Sequence, residues 1–145
     1  MRELDVLLTG DVILDEPDPD HWLSGLRELT QSADLTIGHL EVPHTARGTE
    51  ASADVPAPAA APAHLEALPR AGFAAMTLAG NHIADRGPAG IADTIEMLER
   101  LGIAYCGAGP SLDAARRPAS LVRNGVRVAL LSYNCVGPES GWAGP

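Results

Sequence analysis

The sequence predicts an α/β fold built on a largely parallel sheet, and three observations carry that expectation. Short apolar runs alternate with stretches of helical periodicity along most of the chain, as in successive βα units. Several of those runs stop abruptly at a polar or metal-competent side chain, and in open parallel sheets ligands bind beyond the carboxyl ends of the strands. Late in the chain, two extended runs are joined by Asn124-Gly125, the dipeptide of a type I′ hairpin turn.

Taken in order, "LDVLLTG" is the first strand, and "DPDHWLSGLRELTQSA" follows as a helix with Trp22, Leu23, Leu26 and Leu29 near one face. "DLTIGHLE" is the second strand. From Val42 to Ala63 the chain is rich in Pro, Ala, Gly and Thr without periodicity, which predicts a long loop over the site. A helix around His64 to Ala71 leads into the third strand, "GFAAMTLAG". "PAGIADTIEMLERLG" is a clear helix, with Pro88 suited to its first turn and Gly102 to its C-terminal cap. "IAYCGAG" is the fourth strand, and "ASLVRNGVRVALLSYN" supplies the hairpin. The chain of 145 residues is expected to be a single domain, 1–145. Its last stretch, "GPESGWAGP", reads as the start of a loop after a strand, so the expectation is the N-terminal portion of a longer chain.

Charge and composition narrow the function. The 19 acidic residues outnumber the 10 basic ones, giving a formal net charge of −9 that repels nucleic acids and anionic membranes. The first apolar run, Leu4 to Leu8, breaks at Gly10-Asp11 and is too short for a signal peptide, and no window approaches the ~18 apolar residues of a membrane span. A cytoplasmic protein acting on a small anionic molecule is the expectation, with neither nucleic acid nor membrane as partner. Cys106 and Cys135 are expected as buried free thiols rather than a disulfide. The acid-rich "DEPDPDHW" is read as a solvated loop entering a helix N-terminus, where acids are favourable.

Four apolar runs end in chemistry: Asp11 after "VLLTG", His39 and Glu41 after "LTIG", Asn81-His82 after "MTLAG", and Cys106 after "IAY". Singly, each has a plain structural use. Asp11 can cap a turn, Glu41 can be a solvated carboxylate, and Asn81 can adopt a left-handed turn. His39 and His82 can be hydrogen-bonded structural imidazoles. Jointly, oxygen and imidazole donors at three neighbouring strand ends form the mixture that suits Zn, Mn or Fe, whereas an all-oxygen set would suit Mg or Ca.

The blocks "LTGDVIL", "GHLEVPHTARG", "AGFAAMTLAGNHIADRGPAGIADTIEMLERLGIAYCGAG" and "ARRPASLVRNGVRVALLSY" resemble, in order and over nearly the whole chain, the CapA family of poly-γ-glutamate capsule-type proteins. That family is similar to calcineurin-like metallophosphoesterases. The most specific block is Gly-Asn-His-x-x-Asp-x-Gly at Gly80 to Gly87. The resemblance implies a metallophosphoesterase-like α/β sandwich with two divalent transition metals (Fe, Zn or Mn) at the carboxyl edge of the sheet. Asp11, Glu41 and Asn81 would be metal ligands, with Glu41 the candidate bridge. His82 would be the catalytic acid or transition-state stabiliser, and Asp85 would accept its other N–H and fix the tautomer. Two cations sharing a water lower its pKa to about 7 and generate the hydroxide that attacks phosphorus or an acyl carbon.

Two departures distinguish this chain from the pattern. Where the family commonly reads Asn-Leu-Glu it has His39-Leu40-Glu41, so His39 is added to the candidate ligands and shifts the preference toward Fe or Zn. The family's later Gly-His-x-His block has no counterpart, since no histidine follows His82. Arg47 and Arg86 are the candidates for holding a phosphate or CoA-like group. The function expected is a dinuclear metal-dependent hydrolase of a phosphoester or an acyl-CoA-type thioester, as some relatives in bacterial natural-product pathways look like thioesterases. The alternatives are a CapA-type role in capsule polymer biosynthesis and a non-catalytic binding domain with a degenerate metal site.

Overall fold

The computed structural model describes residues 3–49 and 58–135. The middle of the expected long loop and the glycine-rich ending therefore lie outside the described residues. Four strands, β1 (Val6–Val12), β2 (Leu35–Leu40), β3 (Phe73–Thr77) and β4 (Ala104–Cys106), form one parallel sheet in the order β1-β2-β3-β4. Helices α1 (Pro19–Ser24) and α2 (Arg27–Ser32) link β1 to β2. A 3₁₀ turn (Pro62–Glu66) and α3 (Ala67–Arg70) precede β3, and α4 (Gly87–Arg100) links β3 to β4. After the short α5 (Leu112–Ala115), β5 (Ala119–Arg123) and β6 (Val126–Leu130) form a separate antiparallel pair. The expected α/β class, with parallel strands and a terminal hairpin, is what the chain adopts.

Because every parallel connection steps one place in the same direction, and such crossovers are right-handed, the helices collect on one face of the sheet. There Val12, Leu40, Phe73, Met76 and Leu78 pack with Leu23, Leu65, Leu68, Met97 and Leu98. The opposite face would be left bare. The hairpin covers it, setting Leu121, Val128 and Leu130 against Leu35, Ile37 and Ala75. β2 is thus apolar on both faces, as a central parallel strand must be. The hairpin does not extend over β1, the edge strand, whose Leu8 remains 70% exposed.

The punctuation residues act as their chemistry requires. Pro88 stands in the first turn of α4, and Gly102, with φ +69°, follows its last residues. The N–H of Gly102 donates to the Glu99 carbonyl and that of Ile103 to Leu98, the paired bonds of a Schellman ending. Asn124 and Gly125 have φ of 51° and 75°, as a type I′ turn demands.

Two expectations fail. The helix predicted over "DPDHWLSGLRELTQSA" is broken at Gly25 into α1 and α2, and of its supposed apolar face only Leu23 is buried, while Trp22, Leu26 and Leu29 are exposed. The inward-facing residue of α2 is instead Thr30, whose hydroxyl donates to the Ala71 carbonyl while its own carbonyl accepts from Thr36. Tertiary hydrogen bonding outweighs the apolar stripe there. The acids of "DEPDPDHW" serve local structure: Asp18 caps α1, and Asp20 pairs with Arg27 and Arg70. Cys106 is buried, but Cys135 is exposed, contrary to expectation; both are free.

Candidate metal centre

The site begins with two irregularities in the sheet. β1 pairs with β2 as Leu8↔Ile37 and then as Asp11↔His39, so Thr9 and Gly10 together oppose the single residue Gly38. This is a bulge, and bulges re-aim side chains. Continuing the first register would place Asp11 opposite Leu40, whose side chain is in the helix-side core. The extra residue turns Asp11 to the face His39 occupies. β3 does the same on the other flank, pairing Thr36↔Phe73 and then Ile37↔Ala75, which brings Thr77 rather than Met76 opposite His39. The outcome is a row across the carboxyl end of the sheet: Asp11, His39, Thr77 and Cys106 are successive register partners.

In that row, one donor atom from each of Asp11, His39 and Glu41 lies within 4.8 Å of the other two. His39 Nε2 is 2.9 Å from Glu41 Oε2, and His39 Nδ1 is 2.9 Å from the Thr77 hydroxyl. Gly80 closes the cluster from the loop after β3. A Cβ on it would fall 2.6 Å from His39 Nε2 and 2.8 Å from Glu41 Oε2, so only glycine lets the backbone approach this closely. Two carboxylates and an imidazole converging on one small space fit a borderline transition metal.

His82 and Asp85 make a second arrangement. Asp85 is 1% exposed, and its Oδ2 lies 2.8 Å from His82 Nδ1. The turn that joins them is closed by the Asp85 N–H donating to the His82 carbonyl. Asp85 Oδ1 is buried with no hydrogen-bond partner among the described residues. With its Nδ1 engaged from behind, His82 leaves Nε2 as the nitrogen that can meet a reactant.

The two arginines are differently placed. Arg47 is bound by Asp93, which also accepts from the Thr45 hydroxyl, and that contact raises the Arg47 pKa and lowers that of Asp93. Arg47 thus fastens the loop after β2 to α4. Arg86 stands at the N-cap of α4 with its Nη1 3.5 Å from the Gly48 carbonyl. Cys106, at the end of the row, is a buried thiol whose pKa is pushed up by desolvation, so it is a packing residue rather than a nucleophile.

Two residues escaped the sequence reading. Thr77 gives no sign in the sequence, because its pairing with His39 exists only through the β3 bulge. His44 is fully buried, with Nδ1 3.1 Å from the Val42 carbonyl and Nε2 unpartnered, and burial lowers its pKa from 6.5 to about 4.

A family model described as bacterial capsule synthesis protein PGA_cap matches residues 5–143. The chain belongs to this family. PGA_cap proteins fall within a metallophosphoesterase-like superfamily, in keeping with the parallel sheet, its helical layer and the hairpin. The capsule biosynthesis protein CapA of Bacillus anthracis is 36% identical over 69 residues, a stretch that is 48% of this chain and 17% of that relative. This PGA_cap chain thus aligns with about a sixth of the CapA protein's length. Among the described residues, no helix is long and apolar enough to cross a membrane.

Proposed function

We propose that this PGA_cap chain carries part of the centre of a dinuclear metal-dependent hydrolase acting on a small anionic substrate, a phosphoester or an acyl-CoA-type thioester, in the cytoplasm. The observation that carries the reading is the convergence of Asp11, His39 and Glu41 within 4.8 Å at the carboxyl end of parallel strands. Asp11, His39, Glu41 and Asn81 would hold the metals, Fe, Zn or Mn. When bound, these supply Lewis acidity and an activated water.

The protein's own part is to hold and move protons. Asp85 keeps a proton on His82 Nδ1, which leaves Nε2 to give or take a proton at the leaving group. Arg86 is the candidate to hold the substrate's anionic group, and Arg47, partly engaged by Asp93, borders the same loop. The chain's negative charge does not oppose this, since bound metals would be the dominant local charge.

A second reading rests on the family description and on the CapA relative's name: a role in capsule polymer biosynthesis. Elemental analysis of the purified full-length protein, followed by assays with p-nitrophenyl phosphate and an acyl-CoA panel, separates these readings. Metal near two per chain with hydrolysis of one substrate class is the expected result. Well under one metal per chain, with no activity restored by Mn, Zn or Fe, overturns the hydrolase reading in favour of a non-catalytic domain. Asn81→Ala should lower metal content, whereas His82→Ala should keep the metal and lower turnover.

A further inference from the structure

The Thr77 hydroxyl oxygen lies 2.9 Å from His39 Nδ1 and 3.4 Å from the Gly38 carbonyl oxygen. A carbonyl oxygen can only accept. If the hydroxyl gives its one proton to Gly38, it must accept from Nδ1–H, and the ring's free lone pair is then on Nε2. That nitrogen faces Glu41 Oε2 at 2.9 Å, and an ionised carboxylate also only accepts. Two acceptors at this separation repel unless a cation stands between them, and Asp11 adds a third acceptor to the same space. In the opposite arrangement Thr77 donates to Nδ1, Nε2–H donates to Glu41, and the pair is satisfied without an ion. A hydroxyl, which can donate or accept, permits both arrangements.

We propose that Thr77 is a positioning residue: by accepting the Nδ1 proton it converts His39 Nε2 into a metal ligand and gives the Asp11–His39–Glu41 cluster its preference for borderline transition metals over Mg and Ca. The inference rests on the metal-site reading above. It deepens that reading by naming the residue that selects the tautomer. Imidazole ligands are generally oriented in this way, through a hydrogen bond to the ring nitrogen that does not touch the metal. The β3 bulge at Ala74 is what brings the hydroxyl to the imidazole, so the irregularity has a chemical purpose.

The test is titration of the full chain with Zn by calorimetry, in wild type, Thr77→Val and Thr77→Ser, with Mg as the comparison ion. Thr77→Val keeps the volume and removes the hydroxyl, and should weaken Zn binding by ~10–100-fold. It should leave Mg binding unchanged, and Thr77→Ser should restore Zn binding to near wild type. Independently of any variant, ¹⁵N NMR of the Zn-loaded wild type should show His39 protonated on Nδ1 and ligated through Nε2. Equal Zn affinity in wild type and a folded Thr77→Val overturns the role of Thr77 alone, and a ring that retains Nε2–H with Zn bound overturns it together with His39 as a ligand. Failure of the wild type to bind Zn at all overturns the metal-site reading and this inference with it.

Discussion

Two histidine–carboxylate pairs stand at the same end of this sheet with nearly equal separations, 2.9 Å for His39–Glu41 and 2.8 Å for His82–Asp85, and they are built differently. In the first, the carboxylate lies beside the imidazole and shares its space with Asp11. Neither side chain is fully enclosed, at 20% and 13% exposure for His39 and Glu41. In the second, the carboxylate is buried behind the imidazole and touches Nδ1, at 1% exposure for Asp85 and 24% for His82. The difference teaches that a short His–carboxylate distance does not by itself describe a role. In the function proposed above, carboxylates converging with the imidazole would build a cation site, whereas a carboxylate behind it would fix a tautomer and leave the far nitrogen for chemistry.

Substitutions can break this contrast. The largest effect is expected from His82→Ala, which should lower turnover by ~10²–10⁴-fold, the usual contribution of a positioned acid or base, with metal content unchanged. Equal loss of metal in His82→Ala and Glu41→Ala would show that the two pairs do not differ in function. Next, Asp85→Asn should reduce turnover by ~10–100-fold while the metal stays bound, since it disturbs only the residue that holds the ring. A parallel measurement of metal content by atomic absorption checks this. Gly80→Ala, which forces a methyl against both members of the first pair, should cost ~1–3 kcal/mol of stability in denaturant unfolding and also weaken metal binding. Stability and metal affinity both at wild-type values would mean that the loop is not held against the pair.

The last expected effect concerns His44, which belongs to neither pair. Its folded pKa, about 4, lies below its ordinary 6.5, so between these values the unfolded chain binds a proton that the folded chain does not. Stability is therefore unaffected by this group above pH 6.5. It falls as pH drops from 6.5 toward 4, by at most ~1.4 kcal/mol per pH unit and ~3 kcal/mol in all. His64 opposes protonation and Asp15 favours it, but burial dominates both. Urea unfolding of His44→Leu at pH 7 and pH 5 should show a flatter pH dependence than wild type. An identical slope would place the acid sensitivity elsewhere.

How much of this could be read from the chain alone differs by element. The strands, the α4 helix with Pro88 and Gly102 at its ends, and the Asn124-Gly125 turn were legible because periodicity and backbone-restricted residues act locally. The 18–33 segment was misread because Trp22, Leu26 and Leu29 make a convincing helical stripe, while Gly25 and the distant carbonyl of Ala71 decide which face turns inward. At the site, Asp11, His39, Glu41, Asn81 and His82 were visible as donors at strand ends, and the nearness of Asp85 to His82 follows from a three-residue spacing. Thr77 and the tight approach of Gly80 were not visible.

Local order was therefore settled by residue type: which segments extend, which coil, where they stop, and which chemical groups are delivered to one edge. Whether those groups meet was settled only in three dimensions. A strand's side chains alternate between two faces, so a single inserted residue in β1 and another in β3 reverse which side chains share the face of His39. No spacing along the chain records where such an insertion falls. It appears only when the strands are paired, and with it the cluster of Asp11, His39 and Glu41 and the hydroxyl of Thr77 that stands against it.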